Sequence, residues 1–196
     1  MRFLVLPLVL LLAACSPVGL AVGTGAAGVN AARQERGFTT AISDTRIRVA
    51  INELWLREGV DMFAGAGATV HEGRVLLTGA MRSDAQRRRA RELAGMVSRV
   101  EVIIDEMQVL PGYDASMRLT DERIVADLRS KLLFDGDVRS SNYALDSVDR
   151  TVYLFGIAHN HAELARVQTH AASISGVRDI VSHVMLRDDP RRRRRE

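Results

Sequence analysis

Cysteine occurs once in the 196 residues, at Cys15, so no intramolecular disulfide can staple the fold. The one long apolar stretch that opens the chain, Phe3 to Leu12, falls short of the roughly 20 residues a membrane-spanning helix requires. Aromatic residues make up only 5% of the chain. The basic excess is confined as well: Arg191 to Arg195 less Glu196 carry +4, which leaves the rest of the +3 chain at −1. A nucleic-acid binder is expected to spread its cations over a folded face among stacking aromatics, so that class is set aside. Catalytic signatures are missing too, with no Gly-rich phosphate loop, no paired-histidine helix and no Ser/His/Asp arrangement. His159-Asn160-His161, His170 and His183 lack metal-ligand spacing, and nothing calls for a cofactor or metal.

What is present begins at the N-terminus. Arg2 followed by Phe3 to Leu12 reads as the charged and apolar regions of a secretory signal, residues 1–14. Leu12-Ala13-Ala14-Cys15 resembles the lipobox, in which small residues admit the backbone to the peptidase and only a thiol can become the diacylglycerol thioether. Ser16 after the lipidated Cys15 resembles an outer-membrane sorting signal, which puts the expected location at the periplasmic face of that membrane. Residues 15–37, rich in Gly and Ala, suit a tether.

Beyond the tether the sequence repeats with a constant shift of 77 residues: Ile47 answers Ile124, Val75 Val152, Leu77 Leu154, Gly79 Gly156, Ala94 Ala171 and Ile103 Ile180. Each copy reads helix, strand, strand, helix, strand. Ser43-Asp44 and Thr120-Asp121 are placed to cap the first helices, which end near Gly59 and Gly136. Capping boxes at Ser83 to Gln86 and Asn160 to Glu163 open the second helices. Final strands are expected at 100–109 and 177–186. The fold class is α+β, two tandem domains at 38–110 and 119–187, each a three-stranded mixed sheet packed against two helices. A linker at 111–118 and a basic disordered tail at 188–196 complete the chain. Gly79 and Gly156 end strands and serve backbone conformation.

The pattern resembles the BON domain (bacterial OsmY and nodulation), and the whole chain resembles dual-BON lipoproteins. The second copy carries the fuller signature: Asp121-Glu122-Arg123-Ile124, Arg129-Ser130-Lys131-Leu132-Leu133, Ser140-Ser141-Asn142, Val152 to Gly156 and Ile174-Ser175-Gly176-Val177. The first departs from it at Val97-Ser98-Arg99-Val100. The resemblance covers nearly everything after residue 12 apart from the tail. It implies a non-enzymatic envelope protein associated with phospholipid binding and outer-membrane integrity.

On a wheel of about 100° per residue, Asp121, Ile124, Val125, Leu128 and Leu132 share one side of the helix at 121–134, and Arg123, Ser130 and Phe134 lie opposite with Leu133 at the flank. Leu133 and Phe134 therefore form an apolar wedge beside Arg123, Arg129 and Lys131, with Ser130 between them, suited to anionic phospholipid. A helix ending near Leu133 would instead fold both apolar side chains into the core. Copy one has Leu56 and Arg57 at these positions, so the lipid face is expected in copy two. Relatives often carry an aromatic residue where Arg123 stands, a departure that shifts weight toward charge. The terminal arginines either contact anionic lipid or stand solvated. The alternative function is a protein-docking module for outer-membrane protein assembly or cell-wall remodelling, with envelope assembly proteins as partners.

Overall fold

The computed structural model describes residues 38–193; the signal 1–14, Cys15, the rest of the tether and Arg194 to Glu196 lie outside the described residues. The first repeat runs α1 (Phe38–Glu58), α2 (Val60–Gly65), β1 (Ala66–His71), β2 (Arg74–Met81), α3 (Asp84–Gly95), β3 (Val102–Asp105) and β4 (Gln108–Val109). The second runs α4 (Ala115–Phe134), a 3-10 turn (Ser140–Asn142), β5 (Tyr143–Val148), β6 (Thr151–Ala158), α5 (His161–Ala172) and β7 (Asp179–Leu186), followed by α6 (Pro190–Arg193). In both, the middle strand pairs antiparallel with the first and parallel with the last, Val75 lying opposite Val70 and beside Ile103, and Val152 opposite Ser147 and beside Ile180.

The aspartates expected to cap the first helices do something else. α4 begins at Ala115, where Asp114 accepts the amides of Ser116 (2.9 Å) and Met117 (3.0 Å), so the linker expected at 111–118 is partly helical. α1 likewise runs ahead of Ser43. Asp44, buried within α1, accepts the amides of Glu72 (2.9 Å) and Gly73 (3.0 Å) in the β1–β2 turn. Asp121 accepts those of Asp149 (2.8 Å) and Arg150 (2.7 Å), and also the hydroxyls of Ser147 (2.6 Å) and Tyr113 (2.7 Å). Both central residues of each turn have positive φ, as a tight hairpin demands, and three of the four are not glycine. A buried carboxylate binding two successive amides offsets that strain and holds each helix over its hairpin.

The strand expected at 100–109 is broken. The Asp105 carboxylate is held by the Arg87 guanidinium at 3.1 Å and takes the Met107 amide at 3.2 Å, which bends the chain between β3 and β4. Met107 turns into the core. Gly79 and Gly156 lie inside β2 and β6 rather than at their ends. Their φ values are +115° and +128°, and an added Cβ would overlap the carbonyls of Gly65 and Asn142.

Two cores sit between sheet and helices, one built around Ile51, Trp55, Leu77 and Leu93, the other around Ile124, Leu128, Leu154 and Val167. A third joins the repeats, where the opposite faces of the sheets meet through Leu76, Val148, Tyr153 and Phe155. β6 is consequently buried along its entire length.

Asp121→Ala is expected to cost about 2–4 kcal/mol, since it orphans several buried donors, whereas exposed Asp127→Ala should change stability by less than about 0.5 kcal/mol. Urea unfolding of both variants measures the contrast.

Candidate functional site

α4 is amphipathic in register with its sheet: Ile124, Leu128 and Leu132 are buried at every helical repeat. The opposite line therefore faces solvent, and it carries Leu119, Arg123, Ala126, Ser130 and Leu133, with Phe134 beside the last. Leu133 is 66% exposed and Phe134 84% exposed, and the helix is intact through Phe134.

The segment after Phe134 explains why neither side chain folds inward. Leu132 and Val138 already fill the adjoining core. The Asp135 carboxylate accepts the Asp137 amide (3.0 Å) and pairs with His170 Nε2 (2.6 Å), while Arg166 bridges Asp135 (3.7 Å) and Asp137 (2.9 Å). The hydrogen bond from His170, with help from the Asp137 amide, holds the Asp135 carboxyl below its ordinary value. Arg166 thus offsets both acids next to the wedge. Any repulsion they exert on an approaching anion is reduced.

The cations do not form one cluster. Arg123 lies on the exposed line itself. Lys131 stands on the α5 side, its Nζ donating to Ser173 Oγ at 2.8 Å. Arg129 stands on the other flank, where it lines a groove of about 440 Å³ between the repeats with Arg118, Glu122 and Asp146. Leu119, 65% exposed, extends the apolar line toward the start of α4. Reading the helix from Asp121 hid it; the signal that finds it is the cap Asp114 ahead of Ala115-Ser116.

The tail expected to be disordered over 188–196 is ordered in part. Within α6, Arg191 binds Asp189 at 2.6 Å and Arg192 binds Glu72 of the first repeat at 2.6 Å. The Arg191 hydrogen bond draws the Asp189 carboxyl down to about 2. Among the histidines, His170 meets Asp135 and His183 meets Glu106. Among the described residues there is no group of three or more His, Cys, Asp or Glu that could hold a metal, and no helix long and apolar enough to cross a membrane.

The BON domain model matches residues 43–111 and again 120–188. The chain belongs to the BON-domain family. It is 31% identical over 153 residues to an uncharacterized protein in the gshII 5′ region of Anaplasma centrale, covering 78% of this chain and 100% of that one. It is 25% identical over 166 residues to the outer membrane lipoprotein DolP of Haemophilus influenzae, covering 84% and 85% of the two chains. With the osmotically-inducible protein Y of Escherichia coli it shares 27% identity over 108 residues, about half of each chain (54% and 54%). The two BON domains are the two halves of the 77-residue duplication.

Because the folded value of Asp135 lies below the ordinary one, its contribution to holding the end of α4 is present at neutral pH and is lost only as pH falls through that lowered value. Carboxyl NMR is expected to find Asp135 titrating below 3.8, and to find the titration moved upward by His170→Ala. Protection of the Asp137 amide should fall over the same acid range.

Proposed function

We propose that this is a non-catalytic, lipid-anchored envelope protein whose second BON domain binds anionic phospholipid. The observation that carries the reading is the pair Leu133 and Phe134, held out in solvent by a rigid turn at the end of an otherwise packed helix. Burying two such side chains in an acyl layer contributes about 1.5–3 kcal/mol each. Arg123, Arg129 and Lys131 add about 1 kcal/mol each near an anionic surface, and Ser130 offers a headgroup hydrogen bond. Those sums give a weak, reversible contact for the domain alone. They suit a protein already tethered through Cys15, where the domain reads lipid composition rather than supplying attachment.

The lipobox and the outer-membrane lipoprotein named among the relatives both support a place at the periplasmic face of the outer membrane, in a role maintaining that membrane. Nothing in the chemistry of the site calls for turnover, a cofactor or a metal.

Co-sedimentation tests the proposal, using protein without residues 1–15 and vesicles of neutral or anionic phospholipid. The expected result is binding selective for anionic vesicles that survives removal of residues 190–196 and falls at least about tenfold with Leu133→Glu and Phe134→Glu together, a loss of about 1.4 kcal/mol or more. Binding that disappears with the arginine segment and ignores the double change would assign recognition to the C-terminus and defeat the proposal.

A further inference from the structure

The duplication places a second exposed apolar line on the first BON domain. On α1 the core face is Ile47, Ile51 and Trp55, all buried. Directly opposite lie Ile42, Val49 and Leu56, each seven residues from the next and 40–52% exposed; Val60 and Phe63 are exposed as well, but on α2, beyond the extended Gly59 that ends the register of α1. A helix resting on a sheet normally turns its most polar residues to this side. A spacing of seven keeps one line of a helix facing one partner.

The charges on the line identify the partner. Arg46 stands between Ile42 and Val49, and Glu53 between Val49 and Leu56; both are exposed. The 77-residue shift puts Arg123 at the place of Arg46, but Ser130 at the place of Glu53. Glu53 brings a carboxylate into the middle of the line, met on its own helix only by the exposed Arg57 at 3.8 Å, and it opposes an anionic bilayer where the neutral Ser130 of the α4 line does not. The same carboxylate suits self-pairing. When two copies of α1 lie antiparallel with Val49 against Val49 of the partner subunit, Ile42 meets the partner's Leu56, Leu56 meets the partner's Ile42, and each Arg46 stands against the partner's Glu53. The two-fold axis forms both ion pairs at once.

We propose that this α1 line is a docking surface for a second copy of the chain, paired antiparallel about Val49. One helix of 21 residues, about 31 Å long, presents less surface than a permanent interface. The association is therefore weak and reversible, and it favours molecules concentrated on one membrane.

The test uses the full chain carrying single cysteine substitutions at exposed positions and a short bismaleimide cross-linker, with the wild type, whose only cysteine is Cys15, setting the background. Val49→Cys is expected to give a covalent dimer above background. Ile42→Cys and Leu56→Cys are expected to give none separately, because two copies of either position lie about 21 Å apart, but a dimer when the two proteins are mixed. In the Val49→Cys background, Arg46→Glu or Glu53→Arg should each lower cross-linking at least about fivefold, and both changes together should restore it, because the pair is re-formed with its signs exchanged. No dimer at Val49 above background would overturn the proposal. Cross-linking of Ile42→Cys or Leu56→Cys alone would do the same, since it reports parallel chains. Loss of vesicle binding on Val49→Glu with Leu56→Glu, equal to that of the Leu133 and Phe134 changes, would hand this line to the bilayer and also overturn it.

Discussion

Everything else in the molecule depends on the back-to-back packing of its two sheets. Leu76 from β2 meets Tyr153 and Phe155 from β6, so each central strand is buried on both faces and both sheets lose the solvent face they would have alone. Phe155 is fully buried, with the Arg74 guanidinium 4.9 Å over its ring and His71 against its edge. Fully burying one such ring contributes about 3 kcal/mol, and the offset edge and cation contacts fix its orientation. With the sheet backs occupied, α1 and α4 are forced to the outside of the molecule. Their outward lines stand exposed at Ile42, Val49 and Leu56 on α1 and at Leu119, Leu133 and Phe134 on α4.

The seam also carries polar groups that pair across it. Arg74 donates to the His183 carbonyl at 3.0 Å, His183 meets Glu106 at 2.8 Å, and Gln108 Nε2 donates to Tyr153 Oη at 2.9 Å and to the Val148 carbonyl at 3.1 Å. Thr78 donates its hydroxyl to the Asp146 carboxylate, whose burial pushes its protonation upward. An unmatched polar group here would cost about 1–3 kcal/mol, so this set selects one register between the domains where apolar contact alone would tolerate several. The Arg192–Glu72 pair adds a clasp between the C-terminal helix and the first hairpin.

Local chemistry was legible in the sequence and distant chemistry was not. The 77-residue shift and the element order could be read because the two copies align without a gap, and both capping boxes because their partners lie within a few residues: Ser83 accepts from Gln86, and Asn160 from Glu163. Asp121 reads as a cap in the sequence because three of its four partners, Ser147, Asp149 and Arg150, are 26–29 residues away. The break between β3 and β4 depends on Arg87 reaching Asp105 from α3. The roles of Tyr153 and Phe155 could not be assigned from alternation, which says that one strand face is buried but not that a second domain covers the other. At the candidate site, the exposure of Leu133 and Phe134 rested on where α4 stops. That end is set by contacts of Asp135 with His170 and Arg166, residues on another helix.

Duplication thus supplied two outward lines, and substitution made them different: Glu53 and Arg57 in one, Ser130 and Phe134 in the other. Under the proposed function, only the second enters lipid. Fluorescence depth measurement tests it most directly, because the sole tryptophan, Trp55, is fully buried with its indole N–H held by the Ala90 carbonyl and gives a constant background. Phe134→Trp should shift to the blue and be quenched by brominated acyl chains in anionic vesicles, while Leu56→Trp should show neither change. Quenching at Leu56→Trp without quenching at Phe134→Trp would instead put the α1 line, and not the α4 line, in the bilayer.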